Sequence, residues 1–140
     1  MIRAVLDANV LVSGLISPTG PPGQILDAWL EGRFRLFVSA PILEELRRIL
    51  QYPRIRDRLG EGQITTLLEH LASEAELTKG ELELDVLTRD PSDNAYLACA
   101  VEAQADALVT GISDHFAEAG GRYQGVSILS PRRFLELLEG

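Results

Sequence analysis

A short, largely apolar run, Ile2 to Leu6, stops on the carboxylate of Asp7. Five residues are too few and too apolar for an amphipathic helix, so the run reads as a buried strand. Three more runs of this kind follow: Phe34 to Val38, Ala107 to Thr110 and Val126 to Leu129. Between them lie stretches with helical spacing, and strands that alternate with helices predict an α/β fold with a mainly parallel sheet. At 140 residues the chain is expected to form one domain over 1–140, and with 46% apolar residues it can bury a proper core.

The helices are legible from their ends. Ala8 to Ile16 follows Asp7, and the breaker-rich loop from Ser17 to Gly23 separates it from a helix over Gln24 to Glu31 that Gly32 ends. Ser39 is placed to cap a helix with Pro41 in its first turn, Ile42, Leu43, Leu46, Ile49 and Leu50 inward, and Pro53 as its end. Arg54 to Arg58 reads as a basic connection, and Glu61 to Ser73 as a further amphipathic helix. Ala75 to Leu77 or Leu82 to Leu84 is a strand by alternation. Asp90-Pro91-Ser92-Asp93 feeds an almost all-round apolar helix from Asn94 to Ala103. Ser130-Pro131 starts the terminal helix with Phe134, Leu135, Leu137 and Leu138 inward.

Charge and cysteine content narrow the function. The formal net charge is −8, concentrated between Glu61 and Asp93, where nine acids face two bases; residues 1–60 carry eight bases against six acids. Overall basicity therefore gives no argument for nucleic acid, although it excludes none. Cys99 is the only cysteine, so there is no intrachain disulfide, and its apolar helical surroundings read as a core thiol. Asp7 interrupts the N-terminal apolar run too early for a signal peptide, and no stretch of about 18 apolar residues spans a membrane, so a cytoplasmic protein without membrane contact is expected.

Four acids occupy places that converge in such a fold. Asp7 ends the first strand, Glu45 lies early in the helix after the second, Asp93 begins the buried helix, and Asp114 lies just beyond the strand ending at Thr110. In an open α/β sheet the C-terminal strand ends and the helix starts after them share one rim. A charge directly after a buried strand must be hydrated, paired or bound to metal, and caps with solvated charges are the plainer alternative for Asp7, Asp93 and Asp114. Carboxylates facing one another repel unless neutralised, and an oxygen-preferring Mg²⁺ or Mn²⁺ is the natural partner. Such a cation activates water and stabilises phosphoryl charge, which points to phosphodiester hydrolysis. His70 and His115 are isolated and read as surface histidines.

The residues Leu6-Asp7-Ala8-Asn9, Ser39 through Glu45-Leu46, Asp90-Pro91-Ser92-Asp93-Asn94 leading into Leu97-Ala98, Val109-Thr110-Gly111, and Gly125-Val126 through Ser130-Pro131 and Phe134-Leu135 together resemble a PIN domain over nearly the whole chain. The likeness is to the small single-domain PIN proteins that serve as toxins of toxin–antitoxin pairs, VapC-like in the broad sense. It implies a three-layer fold with a central parallel sheet of four or five strands flanked by helices. It also implies a Mg²⁺/Mn²⁺-dependent ribonuclease, an antitoxin partner and a homodimer. By this resemblance Asp7 and Asp93 are metal ligands, Glu45 binds the metal directly or through water, and Asn9 and Thr110 orient the carboxylates. Glu44 competes with Glu45 for the second place; Glu45 is preferred because it directly precedes Leu46. At the fourth place relatives often read Thr-Gly-Asp, whereas this chain has Ile112 after Gly111, which leaves Asp114 as the replacement acid and metal ligand.

Two other readings compete. A phosphoryl-transfer domain of the haloacid-phosphatase or receiver type also places an Asp after its first strand, but it needs a lysine after a late strand, and Lys79, the only lysine, lies in the acidic middle segment. A catalytically weak or inactive PIN scaffold that binds RNA or protein is the alternative that Ile112 motivates. Arg47, Arg48, Arg54, Arg56 and Arg58 suit RNA phosphates, an antitoxin, or simply a solvated helix face.

Overall fold

The computed structural model describes residues 1–84, 93–111 and 121–140. The chain runs β1 (Arg3–Leu6), α1 (Ala8–Ile16), α2 (Pro21–Leu30), β2 (Arg35–Val38), α3 (Ala40–Leu50), α4 (Pro53–Arg56), α5 (Glu61–Glu74), β3 (Glu76–Leu77), α6 (Asn94–Glu102), β4 (Ala107–Val109), β5 (Arg122–Tyr123), β6 (Val126–Leu129) and α7 (Pro131–Glu139). This is the expected α/β class, a mostly parallel sheet flanked by helices. Among the described residues the sheet order is β3-β2-β1-β4-β6-β5, with the β5–β6 pair antiparallel and the other pairs parallel.

Among the described residues the sheet has six strands where four or five were expected, the two-residue β5 being the addition that the sequence did not indicate. β3 uses Glu76–Leu77, so of the two candidate strands in the acidic segment the earlier one pairs; residues 82–84 form no strand. Its pairing to β2 is reinforced by the Arg35 guanidinium, which donates to both oxygens of Glu76. β5 had no sequence signal, since Arg122-Tyr123 is too short for alternation; Gly121 and Gly125, both at positive φ, let the chain turn on either side of it. The basic connection begins as the short helix α4, for which Pro53 serves as a first-turn residue rather than a terminator. α2 likewise starts at Pro21, three residues early, with prolines in its first turn.

Beyond the partly buried Arg3, the central strands β1 and β4 are buried: Ala4, Val5, Leu6, Ala107, Leu108 and Val109 all have zero exposure, as strands covered on both faces require. α6 packs on β1, β4 and β2, and α7 on β4 and β6. Phe134 of α7 meets Phe34 edge-on at 5.1 Å between centroids. α1 closes on α2 at Gly14, which faces Leu26 and Pro22, and α2 packs at Gly23 on the loop that precedes it; a Cβ on Gly23 would lie 2.2 Å from the Pro18 carbonyl oxygen. Ser130 caps α7, its hydroxyl accepting from the Arg133 N–H at 3.2 Å. Ser39 stands at the N-cap of α3 and is 4% exposed, but its side chain makes no cap bond. No helix among the described residues is long and apolar enough to cross a membrane.

Candidate active site

Register places the acids. Leu6 of β1 pairs with Val109 of β4, so the next residues, Asp7 and Thr110, are neighbours at the C-terminal edge. The Asp7 N–H donates to the Val109 carbonyl at 2.9 Å, and the Thr110 hydroxyl donates to Asp7 Oδ2 at 3.0 Å. Asp7 is also the N-cap of α1, its Oδ1 accepting from the Asn9 backbone N–H at 2.9 Å. The capping role and the strand-end role thus coincide. The Asn9 contact comes from the main chain, and the side chain of Asn9 is exposed.

Asp7 is only 1% exposed, yet no lysine, arginine or histidine pairs with it among the described residues. Two neutral donors hold its charge instead, one of them at the positive end of a helix.

Glu45 approaches from α3. It is partly buried, whereas Glu44 is exposed. Glu45 Oε2 accepts a hydrogen bond of 2.7 Å from the Tyr96 hydroxyl, and its Oε1 lies 4.0 Å from the Arg48 guanidinium one turn on. The Tyr96 oxygen in turn lies 3.4 Å from the Ala8 N–H in the first turn of α1. Tyr96 is 1% exposed, and its phenol is held far above the ordinary range, first by burial and then by the charges of Asp7 and Glu45. It is therefore a neutral donor between two carboxylates. Tyr96 was absent from the sequence-derived site because it sits in a helix read as all-round apolar. The available signal was a phenol in such a helix, which needs a polar partner when buried.

Asp93 begins α6, three residues before Tyr96, and is 4% exposed; its carboxylate makes no cap bond to the helix. Asp114 and Ile112 lie outside the described residues, as do His115 and the turn up to Ser92. His70 packs edge-on against Trp29 at 6.5 Å. A cleft of about 400 Å³ adjoins the rim, with Ser39, Thr78, Asn94, Cys99 and Glu102 in its walls, and the acids themselves lie outside it.

The donors at the rim are carboxylate oxygens, and a buried Asp7 without a cationic partner is the arrangement a hard divalent cation would complete. Among the described residues no three His, Cys, Asp or Glu side chains close on one point. The donor chemistry fits Mg²⁺ or Mn²⁺, and Asp7, Glu45 and Asp93 are the described groups that would hold it.

Comparison with known proteins identifies the family and the fold. The family model described as PIN domain matches residues 3–111. The uncharacterized protein MJ1680 of Methanocaldococcus jannaschii is 34% identical over 114 residues, covering 81% of this chain and 72% of that protein. The crystal structure of PAE2754 from Pyrobaculum aerophilum superposes with a TM-score of 0.63 at 16% identity, over 99% of this chain and 90% of that one, which bears on fold alone. The PIN domain is a nuclease-type fold whose enzymes typically use divalent metals, and this chain belongs to the PIN-domain family.

Proposed function

We propose that the chain is a metal-dependent endoribonuclease that hydrolyses RNA phosphodiester bonds, with Mg²⁺ or Mn²⁺ as the cation. The observation that carries the reading is the buried Asp7 carboxylate at the end of β1, held by Thr110 and the start of α1 and lacking a cationic partner among the described residues. Asp7, Asp93 and Glu45 hold the cation, and Asp114 completes the acid set. When bound, the cation activates water for attack and offsets the charge that builds on the phosphoryl oxygens. Thr110 and the α1 N-terminus keep the Asp7 carboxyl group aimed, so little reorganisation is needed as charge develops. Arg48, exposed beside Glu45, suits a flanking phosphate of the RNA strand. The same reading makes the protein the cytoplasmic toxin of a toxin–antitoxin pair, a homodimer held inactive by a protein antitoxin; the family likeness supports this part.

The test is cleavage of a mixed structured and single-stranded RNA pool by purified protein in Mg²⁺, Mn²⁺ or EDTA, beside Asp7→Asn. Metal-dependent cleavage lost by at least 100-fold in the variant is expected. A folded protein that neither cleaves RNA nor binds Mn²⁺ refutes the nuclease and favours the RNA- or protein-binding scaffold suggested by Ile112.

A further inference from the structure

Tyr96 links two of the elements carrying acids to the helix bearing a third. It lies on α6, whose start is Asp93; it donates to Glu45 of α3 at 2.7 Å; and its oxygen faces the Ala8 N–H of α1, next to Asp7. The hydroxyl is buried, so water does not substitute for either partner. A glutamate on a helix has three rotatable side-chain bonds and no intrinsic reason to face the β1 end. Its neighbour Arg48, an exposed side chain at 4.0 Å, draws the other carboxylate oxygen outward along α3.

We propose that Tyr96 is a positioning residue for the divalent cation: its phenol fixes the Glu45 carboxylate against the first turn of α1, beside Asp7, so that the two carboxylates present oxygens to one ion. One oxygen of Glu45 is committed to the phenol, and the other is left for the cation in exchange for the weak Arg48 contact. Outer partners of this type orient metal-binding carboxylates, and their loss typically weakens binding by 10–100-fold. The inference rests on the acid rim being a metal site, as proposed above.

The test is Mn²⁺ affinity, followed by electron paramagnetic resonance up to millimolar metal, in the full chain and in Tyr96→Phe, Glu45→Ala and the double variant. Phenylalanine keeps the ring in the core and removes only the hydroxyl; near-ultraviolet circular dichroism checks that packing is retained. Tyr96→Phe should bind Mn²⁺ about 10-fold more weakly. Added to Glu45→Ala it should produce no further loss, because Tyr96 acts through Glu45. A purely structural role would produce the same loss in both backgrounds, and that result overturns the proposal, as does Tyr96→Phe binding like the parent protein. A parent protein that does not bind Mn²⁺ overturns the metal reading itself, and the positioning role falls with it.

Discussion

The bond from Thr110 to Asp7 can be weighed by removing it. Thr110 has zero exposure and Asp7 is 1% exposed, so no water replaces the hydroxyl in Thr110→Val. Valine nearly matches threonine in shape, which keeps the packing and removes the hydroxyl that donates to the Asp7 carboxylate. Hydrogen bonds to a charged acceptor are worth about 1.5–3 kcal/mol. At this chain length a loss of about 2 kcal/mol corresponds to a fall in Tm of roughly 5–10 °C. Thr110→Ser keeps the donor and loses a methyl group, which costs only about 1 kcal/mol. The assay is urea denaturation of parent, Thr110→Val, Thr110→Ser, Asp7→Asn and the Asp7→Asn/Thr110→Val double variant at pH 7 in EDTA, so that no bound cation contributes. In the Asp7→Asn background the valine substitution should cost about 1 kcal/mol less, because the lost bond is then between neutral groups. Thr110→Val within ~0.5 kcal/mol of the parent, or Thr110→Ser costing as much as Thr110→Val, would refute the claim that this hydroxyl holds the Asp7 charge.

Two further outcomes test the framework around the site. Gly23→Ala places a Cβ against the Pro18 backbone, 2.2 Å from its carbonyl oxygen, and should destabilise by about 2–3 kcal/mol, whereas Gly62→Ala, in open space inside α5, should stabilise by about 0.5–1 kcal/mol; paired denaturation curves check the opposite signs. Burial, only partly offset by the Thr78 hydroxyl, pushes the Cys99 thiol up to about 11. Because the folded value lies above the unfolded one, the thiol contribution is fully present below about pH 9 and is lost as pH rises toward 11, on the order of 2 kcal/mol. Stability measured from pH 8 to 11 should therefore fall less steeply in Cys99→Ala than in the parent.

The outcomes at individual residues show where local pattern suffices. The four longer strands, the cap at Ser130 and the helix starts near Ala8, Ala40, Glu61 and Asn94 were legible, because each is set by residues within a few positions of one another. The edge strand β3 was legible only as one of two candidates, and β5 not at all, since a two-residue strand has almost no period and is selected by pairing to a neighbour. Ser39 carried a cap signature, and it does stand at the N-cap of α3, but its hydroxyl makes no cap bond. The preference for Glu45 over Glu44 came from its place before Leu46; the structure separates the two by exposure, with the partly buried Glu45 taking the phenol bond.

The sequence by itself determined the alternation of strand and helix, and therefore that Asp7 and Thr110 end strands and that Asp93 begins a helix. Chain-local hydrophobic period and turn chemistry suffice for that. Only the tertiary structure decided which groups touch. The Leu6–Val109 register sets Thr110 beside Asp7 across 103 positions of sequence, and the packing of α6 brings Tyr96 to Glu45 across 51. Neither contact has a local signal. Both follow from strand order and helix packing, which minimise exposed apolar area over the whole chain and carry the polar side chains to their partners as a consequence.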